Sequence, residues 1–289
     1  MNHKKSCNCS DPEVDLHEAF SQLNNKVDAL AGLIKELASP QLESIADVPD
    51  FSVLEKLQWI IGGEEVLPGT FPSCCLVGVR SDKGMIWKCS GVLISRELVI
   101  TAGHCFLPFG EFEVALDVTS LRSIDESERV TVSDAILHPN YNHSSYSNDI
   151  CLLRLSRPSK TAPVNIATTN EIRASKRIQV VGFGSHSNSG SLGFGIKREV
   201  IVPIMSLDRE DGTSLQQDSY KFAFNPKTEF VAGGQGFGSC WGDSGGPAYI
   251  EVGGELKVAG ITSRSASGQS NCTSGAIYIR LDKYQDFIA

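Results

Sequence analysis

Two textures of hydrophobic and polar positions divide the chain. In the first, Leu16, Phe20, Leu23, Val27, Leu30, Ile34 and Leu37 recur at alternating spacings of four and three, the apolar seam of a heptad pattern. The spacing predicts a helix that starts near Asp11-Pro12 and stops near Ser39-Pro40. Such a seam suits an amphipathic helix packed on the body of the protein, a self-associating coiled coil, or a surface for another protein. Residues 40–59 follow as a linker with a short apolar stretch over 51–57.

From residue 60 onward, short β-rich runs alternate with Gly, Asn, Ser and Pro. Runs at 76–80, 130–137, 150–155, 178–181, 200–204, 256–262 and 276–281 are examples. Many short strands with frequent turn signals predict an all-β barrel or sandwich. The change of texture predicts an N-terminal helical segment over 1–59 and one β domain over 60–289. Residues 282–289 have room for barely two helical turns.

The densest chemistry lies at 240–247, C-W-G-D-S-G-G-P. Here a hydroxyl, Ser244, sits among glycines that permit a tight turn and leave backbone N–H groups free to converge on a developing oxyanion. A serine alone is a poor nucleophile and requires a histidine base held by an acid. His104 in T-A-G-H-C (101–105) and Asp149 in N-D-I-C-L-L (148–153) supply both types. Gly242 to Gly246 also matches G-x-S-x-G, but an α/β-hydrolase needs its acid and histidine after the serine. All six histidines precede Ser244, which excludes that fold.

With these motifs the chain resembles the chymotrypsin/trypsin family of serine endopeptidases. The order His104, Asp149, Ser244 is the family's. So are I-I-G-G at 60–63, C-S-G-V-L-I-S at 89–95, H-P-N-Y at 138–141 and V-V-G-F-G at 180–184. The resemblance covers residues 60–289. It implies two six-stranded Greek-key barrels with the active site between them, preceded here by the N-terminal α-helical segment. It further implies Ser244 as nucleophile, His104 as base, Asp149 as its orienting acid, and the N–H groups of Gly242 and Ser244 as oxyanion hole. Cys89–Cys105 and Cys240–Cys272 are the disulfides it implies, each worth about 2–4 kcal/mol.

The same resemblance makes 1–59 a pro- or regulatory segment whose removal frees Ile60 to pair with the buried Asp243. The residue before Ile60 is Trp59, where trypsin-like activation requires Lys or Arg. Gly238 maps to the base of the primary specificity pocket, with Ser263, Arg264, Ser265, Ala266, Gly275 and Ala276 as walls. Lacking an acid at Gly238, the pocket is expected to take an apolar or small side chain. Arg264 stands where a tryptophan is usual, and an Arg264-assisted preference for acidic residues is the alternative.

The remaining features narrow the function. A net charge of −8 argues against a nucleic-acid binder, and no apolar run reaches the roughly 18–20 residues that span a bilayer. The substrate expected is a protein or peptide, and the N-terminal helix is the expected contact for an activating protease or partner. No cofactor or metal is called for: the acidic residues at 117–128 do not match a calcium loop, and Cys7 and Cys9 lack further ligands. His138 is expected to be structural, His186 solvated and Cys151 a buried thiol. The N-terminus shows no apolar signal region, whereas paired cysteines favour an oxidising compartment. Five cysteines (7, 9, 74, 75 and 151) lie outside the pairs, so the compartment stays open. The alternative function is a catalytically silent or partner-gated homologue acting as a binding or regulatory module. Such proteins usually lose a triad residue, and none is lost here.

Overall fold

A computed structural model describes residues 63–108, 110–186, 193–207, 224–234, 236–266, 272 and 274–289. The helix expected over 11–39, the linker, Ile60 and the Cys7/Cys9 pair lie outside the described residues.

The first barrel is built from β2 (Cys74–Ser81), β3 (Gly84–Ser95), β4 (Leu98–Thr101), β5 (Phe112–Leu116), β6 (Glu128–Leu137) and β7 (Cys151–Leu155). They close in the order β2-β3-β4-β7-β6-β5, with β5 pairing back onto β2. The second uses β8 (Arg177–Gly182), β9 (Arg198–Ser206), β10 (Glu229–Ala232), β11 (Pro247–Val252), β12 (Glu255–Ser265) and β13 (Ala276–Arg280). These run β8-β9-β10-β13-β12-β11, and β11 pairs back onto β8. Both rings are antiparallel and share one Greek-key connectivity. A short strand β1 (Glu64–Glu65) lies outside the second ring on β9. The expected pair of six-stranded barrels is therefore present, and each expected run falls on a strand, its ends differing by a few residues.

Period-two alternation explains the closure. In β9, Arg198, Val200 and Val202 are buried while Ile201 and Pro203 face solvent, so one side of the strand is committed to an interior. Ring closure then removes the unpaired strand edges. β2 differs in being buried on both faces over Cys74–Val79. Cys75 and Val77 point into the first barrel with Leu93, Val114 and Leu153. Cys74 and Leu76 point the other way, into a layer shared with Val181, Tyr249 and Ile261 of the second barrel. That shared layer joins the barrels into one body.

The chain ends in a 3-10 turn, Leu281–Lys283, and a single helical turn, Gln285–Ile288. Tyr284 and Phe287 meet the His138 ring edge-on at 5.4 and 4.7 Å. The terminus is thereby folded against the loop that leads to Asp149.

Candidate active site

Strand pairing brings His104 and Asp149 together. β4 ends at Thr101 and β7 begins at Cys151, and these two residues are partners in the ladder. A residue three beyond one and a residue two before the other must then be neighbours. His104 sits in a 3-10 turn, Gly103–Cys105. Its backbone N–H donates to Asp149 Oδ1 at 2.7 Å, and its Nδ1 lies 2.8 Å from Asp149 Oδ2. Ser263 Oγ donates to the same Oδ2 at 2.6 Å. Asp149 is fully buried, and these three donors compensate a carboxylate that would otherwise be costly there. An anionic acceptor at Nδ1 fixes the proton on that nitrogen, leaving Nε2 as the basic edge. The Tyr146 ring stands edge-on to the imidazole at 5.6 Å.

Ser244 lies on the loop between β10 and β11, and one residue ties that loop to the histidine side. The Ser90 N–H donates to the Ser244 carbonyl at 2.9 Å, and Ser90 Oγ donates to the Gly242 carbonyl at 2.9 Å. Thr101 Oγ1 in turn donates to the Ser90 carbonyl at 2.8 Å. The Cys89–Cys105 disulfide flanks Ser90 on one side and His104 on the other. The loop is closed by Gly245 N to Thr262 O at 2.8 Å and Gly246 N to Asp243 O at 2.7 Å. Among the described residues, the N–H groups of Gly242 and Ser244 donate to no backbone carbonyl. Gly242 has φ +96°, a left-handed conformation, and the Phe194 ring occupies the space a Cβ would need. Both hydrogen bonds described for His104 go to Asp149. Among the described residues, Ser244 Oγ is not hydrogen-bonded to the imidazole.

Asp243 is also fully buried. Its Oδ1 accepts from Gly184 N at 2.7 Å and its Oδ2 from Cys240 N at 2.8 Å. Burial pushes its carboxyl up from 3.8 to about 6, against the pull of the two N–H donors and the more distant Arg198. Gly184 is obligatory beside it: an added Cβ would stand 2.5 Å from the carboxyl carbon. Ile60, its expected partner, lies outside the described residues.

The expected pocket residues are contiguous. Gly238 is buried, and its nearest neighbours would be Cys272 O and the Gly275 Cα at 3.7 and 3.8 Å from an added Cβ. Ala266 N donates to Gly275 O at 3.0 Å, and Ser265 pairs with Ala276. Ser239 Oγ lies 3.4 Å from the Tyr278 hydroxyl. Ser263 faces Asp149. Arg264 turns into the protein and forms a fork with Glu229: Nη1 to Oε1 at 3.1 Å, Nη2 to Oε2 at 2.9 Å. Sequence reasoning missed Glu229 and Ser90. Glu229 opens an otherwise apolar run, E-F-V-A, where a charge needs a buried partner. Ser90 left no signal beyond its place beside Cys89.

Both expected disulfides are present, which is consistent with an oxidising, extracellular setting. Cys74, Cys75 and Cys151 are buried thiols. Burial raises all three, Cys74 and Cys151 to about 12, so none is a ready thiolate. Among the described residues no helix is long and apolar enough to cross a membrane.

Comparison with known proteins agrees with this fold. The family model described as Trypsin matches residues 60–288. Coagulation factor IX of Cavia porcellus is 32% identical over 239 residues, 78% of this chain and 79% of the relative. Brachyurin of Leptuca pugilator is 30% identical over 236 residues, 79% of this chain and 96% of the relative. Serine protease filzig of Drosophila melanogaster is 30% identical over 250 residues, 79% of this chain but 14% of that longer protein. On the family model, the relatives and the paired barrels, the chain belongs to the trypsin family of serine endopeptidases.

Proposed function

We propose that this endopeptidase cleaves protein or peptide substrates through Ser244, His104 and Asp149, and that residues 1–59 restrain its 60–289 protease domain until Ile60 is freed. The observation that carries the reading is the doubly hydrogen-bonded His104–Asp149 pair beside the glycine-rich Ser244 loop. Nε2 of His104 takes the Ser244 proton as Oγ attacks the scissile carbonyl, and returns it to the leaving amine. Asp149 holds the Nδ1–H tautomer and stabilises the imidazolium. The N–H groups of Gly242 and Ser244 receive the oxyanion, where one donor is worth about 10²–10³ in rate. Water then repeats the sequence on the acyl-enzyme.

Activation follows from Asp243. A buried carboxyl raised to about 6 gains most from a cation delivered to it, and the ammonium of a new Ile60 terminus is that cation. Cleavage after Trp59 requires an activating protease of aromatic preference or self-cleavage. Segment 1–59 is the place for a partner to govern that step. The pocket base carries glycines and Ser239 rather than a carboxylate, and the Arg264 charge is committed to Glu229. The preference is therefore for small or apolar side chains.

Fluorophosphonate labelling of the purified chain, intact and cut between Trp59 and Ile60, tests the whole reading, with Ser244→Ala as control. Labelling confined to the cut chain and lost in the control is expected. Equal labelling of both forms would overturn the zymogen reading, and no labelling of either would favour the partner-gated or silent alternative. Offering the cut enzyme a peptide mixture tests the pocket: cleavage chiefly after Lys or Arg would overturn it.

A further inference from the structure

The hydroxyl that Ser263 donates to Asp149 is itself approached by Arg264, whose Nη1 lies 3.3 Å from Ser263 Oγ. The Arg264 and Glu229 side chains are 9% and 1% exposed, and Glu229 Oε2 also accepts the Asn225 N–H at 2.8 Å. Asn225, Glu229, Arg264, Ser263, Asp149 and His104 thus form one unbroken chain of polar contacts. A β-bulge makes it possible. Thr262 pairs with Tyr278 and Arg264 with Ile277, so Ser263 is the extra residue in β12, and a bulge re-aims the side chains beside it. Stability alone is a weak reason for the pair, because apolar residues of equal volume usually serve a core as well or better.

We propose that the Glu229–Arg264 ion pair is a positioning element for the catalytic pair, fixing the Ser263 hydroxyl on Asp149 and setting the field in which His104 gains and loses its proton. A hydroxyl has one proton and two lone pairs. A guanidinium donating to Ser263 Oγ occupies a lone pair and obliges the proton to point at Asp149. Arg264 keeps its charge at every working pH, and Glu229 cancels it, so His104 senses a dipole rather than a lone cation. Removing either member uncovers the other's charge, and the two removals act on the imidazole with opposite sign. The inference rests on the catalytic reading above and adds two residues to it.

Among the described residues, the other titratable groups facing this pair come from three elements. Tyr141, His143 and Tyr146 belong to the loop before Asp149, Cys151 to β7 and Tyr284 to the C-terminal turn. Burial raises Tyr141, Cys151 and Tyr284, so these three keep their charge state between pH 5 and 9. In the titration, comparison with a His143→Gln variant assigns the His104 imidazole resonance.

The test is the titration of the His104 imidazole by NMR in the full chain carrying Glu229→Gln, Arg264→Gln or both. Glu229→Gln should move the midpoint down and Arg264→Gln should move it up, each by about 0.5–1 pH unit, with the double variant returning near the parent. Shifts of the same sign in both single variants, or none, would overturn the proposal. Should an unpaired buried charge prevent folding, Arg264→Lys keeps the charge but loses the fork. It should hold the midpoint and lower kcat about three- to tenfold at unchanged KM, and an unchanged kcat would overturn the proposal. The titration needs no turnover, so failure of fluorophosphonate labelling and failure of this network are separate results.

Discussion

Asp149 and Asp243 are both fully buried aspartates, one presented by each barrel, and their surroundings differ in kind. Asp149 accepts from two donors on His104 and from the Ser263 hydroxyl. Asp243 is described with two backbone N–H donors, between glycines that leave room for nothing larger. The first carboxylate completes its shell within the fold and so holds a histidine in place. The second is left with burial as the dominant influence, which makes it responsive to any cation brought to it. Equal burial has produced a fixed element on one side and a sensitive one on the other.

The largest effect should come from breaking the fixed side. Asp149→Asn keeps the shape but favours the wrong imidazole tautomer, and kcat of the cut enzyme should fall about 10⁴-fold with folding retained. A loss below tenfold in single-turnover assays would remove Asp149 from its role.

Steric probes sharpen the contrast next. Gly184→Ala drives a methyl into the Asp243 carboxyl group and should cost about 3 kcal/mol. Gly103→Ala, beside His104, meets Ile150, Leu137 and Tyr141 atoms at 3.1 Å and should cost less than about 1 kcal/mol. Urea unfolding of the two variants checks the order, and equal costs would contradict it.

The pH dependence is gentler. Asp243 rises from 3.8 to about 6 on folding, so the folded state holds the proton where the unfolded chain has released it. Its contribution to stability is present below about pH 4 and is lost as pH rises through about 6, a change on the order of 3 kcal/mol. Glu128, held at about 2 by hydrogen bonds from Lys160, Ser159, Arg157 and Thr161 against the cost of burial, acts in the opposite sense below pH 4.5. Between 4.5 and 7 Asp243 is opposed by His138, whose imidazole burial holds below its usual value, so the test is made in a His138→Gln background. Unfolding midpoints of the intact chain should fall across that window and fall less once Ile60 is freed. A rise in the intact chain would refute the assignment.

The sequence by itself determined much of this protein. Short β-rich runs bounded by Gly, Asn, Ser and Pro marked strands such as β6, β7 and β9, since those residues punctuate short strands. The order of His104, Asp149 and Ser244 pointed to the family. The seam over 16–37 was equally legible, but it lies outside the described residues. Ladder registry brought Thr101 opposite Cys151 and so His104 against Asp149, and no local pattern contains that pairing. Arg264 shows the limit best. Read along the chain it was a pocket wall with a charge to offer a substrate. In the fold it is turned inward to Glu229, which lies on β10 with β13 between it and β12. A buried charge takes its partner from whatever strand closure brings near it, and closure joins residues that sequence periodicity cannot relate.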